Sequence, residues 1–245
     1  MVRKGRRVVW CAVAVLALAG CGRADVPSER QPAFEGVEDL PEKLGADGTT
    51  ITVGDPDTKV KVHLYEDPRC PYCEQFETSG GGPRLRKAVI DRHATVQYTL
   101  ASFLDDRVGG NGSKKAVNAL RAALKEGKFV EYHEVLYLNQ PEESEDGYTD
   151  AYLLKLAGQV EGLRSTAFDS AVKSMKYRAF VAASQKAYER AGGAAEPEGP
   201  GTPTAVINDK RIPMETNGVL LDGTLFAQLL DQIHANPWEW ESTTL

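Results

Sequence analysis

Cysteine is scarce in this chain: four occur in 245 residues, and only Cys70 and Cys73 stand at a spacing that suggests shared chemistry. One Cys-x-x-Cys offers two metal ligands where a structural zinc site takes four. No second pair exists, and His63, His93, His133 and His234 are scattered without ligand spacing, so no metal site is expected. A disulfide across so short a loop constrains the unfolded chain little, which argues against a purely structural staple. Positive charge is also short. Lys and Arg number 29 against 35 Asp and Glu, a net charge of −6, which speaks against nucleic-acid binding and against adhesion to anionic lipid by charge. Internal repeats and long low-complexity tracts are lacking. The apolar run Val8–Ala19 has 12 residues, too few to cross a bilayer as a helix, which takes about 20.

What that run suits is export. Arg3, Lys4, Arg6 and Arg7 precede it and small residues follow, the layout of a secretory signal over residues 1–20. Leu18-Ala19-Gly20-Cys21 resembles the bacterial lipoprotein box, which implies cleavage before Cys21 and lipid on its sulfur. Such an anchor would hold the chain at the outer face of a membrane. On this reading Cys11 leaves with the signal, Cys21 is lipidated, and the chain becomes four units more acidic. Only Cys70 and Cys73 remain, so no long-range disulfide is available in a compartment where disulfides persist. Residues 21–46, polar and carrying Pro27, Pro32 and Pro41, read as a flexible tether with a root-mean-square span of about 25–30 Å.

Further along, Val60–Tyr65 alternates and is rich in β-formers, predicting a strand. Pro71 marks a helix start, with a break near Gly80–Pro83 and resumption to about Arg92. Thr95–Leu100 predicts a second strand, completing a βαβ unit. Residues 109–198 are helical in pattern. Val117, Leu120 and Leu124 share one face after Ser113 as N-cap, and Phe129, Tyr132, His133 and Leu136 share another. Residues 149–160 and 164–191 also read as helical. Strands over 204–207 and 210–212 flank the turn Asn208-Asp209, and a last helix over 222–235 has Leu225, Leu229 and Ile233 in phase. The expectation is an α/β domain from 47–108 and 199–245, interrupted by a helical insertion at 109–198. His133 and His63 are expected to be packing residues. Trp238 and Trp240 cover either the core or a partner.

The pair lies in Tyr65–Glu77, YEDPRCPYCEQFE. With Cys70 at an N-cap and Pro71 at the first helical position, the Cys70 sulfur sits by unpaired N–H groups and the positive end of the helix dipole. Both favour the thiolate, the attacking form. Cys73 is one turn on, on the same face and more buried, placed to resolve a mixed disulfide.

Cys70–Glu77 is similar to the active-site helix of the DsbA family of the thioredoxin superfamily. Phe129–His133 with Asn139-Gln140-Pro141 resembles a helix of that family's inserted domain, and Gly201-Thr202-Pro203-Thr204 before a hairpin resembles its cis-proline loop. The similarity spans about residues 48–236. It implies a thioredoxin fold with an inserted helical domain, Cys70 as nucleophile and Cys73 as resolving thiol. It also implies a cis Pro203 facing the disulfide, and Thr202 offering its backbone to an extended substrate. Two positions depart from the family. Where many relatives carry a buried acid six residues before the first cysteine, this chain has Leu64, leaving Glu66 and Asp67 as candidates for the proton relay. Tyr72 stands where the strongest oxidants have histidine and cannot become cationic near neutral pH, so a less oxidising pair is expected.

The resemblance implies an extracytoplasmic protein-disulfide oxidoreductase that needs no cofactor. It would oxidise cysteine pairs of exported proteins and be reset by a membrane redox partner. The alternatives are a reductase or isomerase, a copper-handling thioredoxin-fold lipoprotein, or a binding module that keeps the pair without turnover. Known isomerases dimerise through an N-terminal domain for which residues 21–46 leave no room. Copper-handling relatives tend to carry Cys-x-x-x-Cys with a matched histidine, which is missing.

Overall fold

Alternation in Val60–Glu66 sets the centre of the sheet. The computed structural model describes residues 33–242; the expected signal over residues 1–20 and Cys21 lie outside them. Six strands are present among the described residues: β1 (Glu42–Leu44), β2 (Ile51–Val53), β3 (Val60–Glu66), β4 (Ala94–Leu100), β5 (Thr204–Ile207) and β6 (Lys210–Arg211). Their order is β1-β2-β4-β3-β5-β6. β3 and β4 are parallel, and every other neighbouring pair is antiparallel. On β3 the residues Val60, Val62, Leu64 and Glu66 are buried while Lys61 is exposed. The period of two that buries three apolar side chains therefore carries a carboxyl into the core at the strand's last position.

Between β3 and β4 lie α1 (Pro71–Thr78) and α2 (Gly82–Ile90). α1 buries Cys73, Phe76 and Glu77, which share one face at helical spacing. The two helices meet where Gly81 lies against Phe226; a β-carbon there would stand 2.6 Å from the ring. Between β4 and β5 run α3 (Leu104–Val108), α4 (Gly112–Lys125), α5 (Phe129–Leu138), α6 (Asp150–Ala157), α7 (Thr166–Lys173) and α8 (Arg178–Ala191). α8 is joined to the sheet end through Ser184, whose Oγ accepts from Leu100 N at 3.1 Å. After β6 come α9 (Gly218–Leu221), α10 (Gly223–Ala235) and α11 (Pro237–Ser242). Asn208 and Asp209 have φ of 46° and 65°, both in the left-handed region that a two-residue type I′ hairpin requires. No helix among the described residues is long and apolar enough to cross a membrane.

Two expectations are corrected, and one open choice is decided. The tether does not extend to residue 46. Glu42–Leu44 pairs with β2, and Leu40 is buried. The Glu42 carboxylate accepts from Phe129 N at 2.9 Å and Val130 N at 2.7 Å, satisfying free N–H groups at the start of α5. Ser113 is not the N-cap of α4. The helix begins at Gly112, and its early N–H groups on Ser113 and Lys114 donate to Asp105 at 2.9 Å each. The Ser113 hydroxyl instead donates to Asp67 at 2.6 Å. Finally, the two tryptophans part ways. Trp240 is buried, its indole N–H donating to Ile207 O at 2.7 Å, while Trp238 is exposed.

Candidate active site

The chain leaves β3 at Glu66, turns through Asp67–Arg69 and enters α1 at Cys70. Cys70 is the N-cap residue with extended backbone angles, and Pro71 opens the helix. Both thiols are free; Cys73 is fully buried and Cys70 is 6 % exposed. Facing them is the Thr202–Pro203 peptide, which is cis. The Cys70 thiol donates to Thr202 O at 3.4 Å. The Thr202 hydroxyl is buried there without a hydrogen-bond partner among the described residues, so it is free to donate to a Cys70 thiolate.

The two sulfurs are driven apart in acidity. The Cys70 thiol falls to about 7, chiefly through a hydrogen bond from the Cys73 thiol. Burial opposes this, while Thr202 and the backbone N–H groups of Cys73 and Tyr72 add to it. The helix end thus contributes, but the neighbouring thiol contributes more, which reverses the emphasis of the sequence reading. Burial pushes the Cys73 thiol far up, helped by its hydrogen bond to Cys70 and by the charges of Cys70 and Glu66.

Behind the pair lies a buried polar cluster. Glu66 Oε2 is 3.0 Å from His133 Nε2, and Arg86 donates to Glu77 Oε2 at 2.6 Å and to Glu134 at 3.3 Å. The other oxygens of Glu66 and Glu77 have no hydrogen-bond partner among the described residues. Burial raises both carboxyls, and the nearby Glu66 charge adds to the rise at Glu77. Two adjacent carboxyls in a dry site favour one shared proton. Burial lowers His133 to about 4, leaving it neutral. It is packed among the rings of Tyr98, Phe129 and Tyr137 as expected of a core residue, yet it also contacts the acid nearest the cysteines. Glu66, Glu77 and His133 have the donor set of a metal site. The Arg86 guanidinium already neutralises one carboxylate, so the cluster fits a proton better than a cation.

Asp67 serves differently. It is buried and pushed up to about 6, mainly by burial. One oxygen accepts from Ser113 Oγ and Arg69 N, the other from Leu104 N. It braces the turn, while Glu66 is the acid coupled to the thiols. Glu77 and Arg86 escaped the sequence reading. Glu77 had a signal, since it lies four residues after Cys73 on the same helical face.

Cys70 opens into a groove of about 540 Å³ lined by Tyr72, Phe103, Leu104, Thr202, Met214 and Leu221, among others. Tyr72 and Met214 are 60 % and 56 % exposed, which gives the rim apolar side chains beside the charged Arg107 and Glu143.

A family model described as thioredoxin (Thioredoxin_4) matches residues 46–220. The chain belongs to the thioredoxin family. Within that family its fold is of the DsbA type. BdbD from Bacillus subtilis superposes with a TM-score of 0.62 at 20 % identity, covering 84 % of this chain and all of that one. MdbA from Corynebacterium diphtheriae, a thiol-disulfide oxidoreductase, gives 0.57 at 20 % identity over 82 % and 95 %. DsbA from Mycobacterium tuberculosis gives 0.53 at 24 % identity over 78 % and 100 %. No curated protein matches the sequence significantly.

Proposed function

We propose that this protein is an extracytoplasmic thiol–disulfide oxidoreductase that oxidises cysteine pairs of exported proteins. The observation that carries the reading is the split between the thiols: Cys70 lines the groove and is acidified, and Cys73 is fully buried and held protonated. A client thiolate attacks Cys70 Sγ of the Cys70–Cys73 disulfide. A client–Cys70 bond forms, the Cys70–Cys73 bond breaks, and Cys73 leaves as a thiolate that takes up a proton. Glu66, raised by burial and coupled to both sulfurs, is the proposed donor. The second client thiolate then attacks the client sulfur of the mixed disulfide, and Cys70 departs as a thiolate, the better leaving group for its low pKa. The client loses two electrons and two protons, and the pair gains two electrons. A membrane redox partner that accepts those electrons restores the disulfide. Thr202, beside the cis Pro203, aligns the client segment through its backbone.

The deciding measurement is the reduction potential of residues 22–245 against glutathione, together with refolding of a reduced, unfolded disulfide protein. An oxidase has a potential well above that of a structural disulfide and speeds refolding stoichiometrically. Tyr72 beside the pair, uncharged where the strongest oxidants have histidine, places the expected value below theirs. A strongly reducing potential with no gain in refolding overturns the oxidase reading and favours a reductase.

Membrane attachment through Cys21 belongs to the same proposal and rests on Leu18-Ala19-Gly20-Cys21. Intact-mass analysis of the membrane fraction is expected to show a diacylglycerol adduct that Cys21→Ala loses. An unmodified Cys21 in the mature protein rules the anchor out.

A further inference from the structure

Arg69, the residue before the nucleophile, is 1 % exposed. Burying a guanidinium is costly, and a buried ion pair is a weak source of stability compared with apolar packing. Its donors show where it is used. Nη1 donates to Asp105 Oδ1 at 3.0 Å and to Gly109 O at 2.8 Å, and Nη2 to Glu143 O at 2.7 Å. Asp105 and Gly109 lie in the segment 103–109, which puts Phe103, Leu104 and Arg107 into the groove, and Glu143 lines it from the loop between α5 and α6. That loop also reaches the pair directly, through Gln140 Nε2, which donates to Pro68 O at 2.8 Å and Cys70 O at 3.1 Å.

We infer that Arg69 is a positioning residue for client binding: its single guanidinium fork hangs two wall segments of the groove from the backbone that carries Cys70. The inference rests on the oxidoreductase reading and deepens it. A client sulfur must arrive in line with the Cys70–Cys73 bond, and walls that are already ordered spare the client the cost of ordering them on binding. Walls fixed to the nucleophile's own backbone keep that alignment wherever the turn moves. Arginine suits this role because its planar fork serves three acceptors in fixed directions, which a lysine ammonium on a flexible stem does not. One further tie exists between the same loops, from Asn111 N to Asp146 Oδ1 at 3.0 Å, so loss of Arg69 loosens the walls without releasing them.

The test uses two variants. Arg69→Lys keeps the buried charge, and Arg69→Met with Asp105→Asn removes both charges together, so neither leaves a lone buried ion. Single-turnover oxidation of a ten-residue dithiol peptide gives a half-saturating concentration and a limiting rate. For the double variant the half-saturating concentration is expected to rise about tenfold, the scale of one disrupted positioning contact. For Arg69→Lys the rise is expected to be smaller, and in both the limiting rate changes less than the saturation does. The potential of the pair against glutathione, an equilibrium property of the two sulfurs and not of client docking, is expected to stay at the wild-type value. If half-saturation is unmoved, or if it moves only in step with the limiting rate and a lower melting temperature, Arg69 is merely structural and the inference is overturned. If the wild-type pair does not exchange with glutathione at all, the oxidoreductase reading falls and takes this one with it.

Discussion

Cys73→Ser is expected to accumulate mixed disulfides with exported proteins, while Cys70→Ser accumulates few and loses exchange activity by a factor on the order of 10³ or more, as removal of a nucleophile generally does. The asymmetry follows from position. Cys70 faces the groove, whereas Cys73 is sealed beneath it with its thiol raised by burial. Without Cys73 the client–Cys70 bond has no internal thiol to reverse it. Without Cys70 the remaining sulfur is neither reachable nor ionised. Non-reducing gels of extracts from cells carrying each variant provide the check, with reduction by dithiothreitol to confirm the linkage. Equal trapping by both variants would contradict the assignment of roles.

The second large effect is a difference in stability between redox forms that grows with pH. Only the dithiol form contains a Cys70 thiolate, and folding lowers its pKa to about 7 from an unfolded value of about 8.5. A group whose folded pKa is depressed contributes stability that is fully present above the unfolded pKa and is lost as pH falls through the folded one. The thiolate should therefore favour the folded dithiol by about 1.2 kcal/mol at pH 8, about 0.4 kcal/mol at pH 7 and almost nothing at pH 6. Cys73, raised instead, stays a thiol in the folded form and opposes this gain by only about 0.2 kcal/mol at pH 8, where the unfolded thiol begins to ionise, and by almost nothing below pH 7. The carboxyls of Glu66 and Glu77 are raised by burial, so they weaken the fold as pH rises. They do so in both redox forms and largely cancel in the difference. Paired urea melts of oxidised and reduced protein at pH 6, 7 and 8 give this difference directly. A dithiol form that gains nothing relative to the disulfide form between pH 6 and 8 would falsify the acidified Cys70.

Much of this site could be read in the sequence because its signals are local. Cys70-Pro71 announces a helix N-terminus in two residues, and Asn208-Asp209 a hairpin in two more. Even the buried acid is legible in hindsight: Glu66 lies in phase with Val60, Val62 and Leu64, so the alternation that predicts the strand also turns its carboxyl inward. What stayed hidden depends on contacts between distant segments. Ser113 has the chemistry of a cap, but the carboxylate that caps α4 comes from Asp105, eight residues earlier and outside the helix. β1 and β2 have three residues each, too few to show a period, and β1 contains Glu42 and Lys43, which are poor strand formers. Nothing in the neighbourhood of Arg69 foretells its burial, because its three acceptors lie 36 to 74 residues away.

The ends of the sheet have a consequence for a protein whose proposed clients are unfolded. Its outermost strands, β1 and β6, have three and two residues, and beside β6 the Lys210 ammonium donates to Trp240 O at 2.7 Å. A long bare edge would recruit any passing extended chain by backbone pairing, whatever its cysteines. Stubs of this length hold almost no register. On the mechanism proposed above, an incoming polypeptide pairs its amides at the loop by Thr202 instead, within reach of a sulfur. Blunt margins thereby turn a general hazard of β-structure into selectivity for productive encounters.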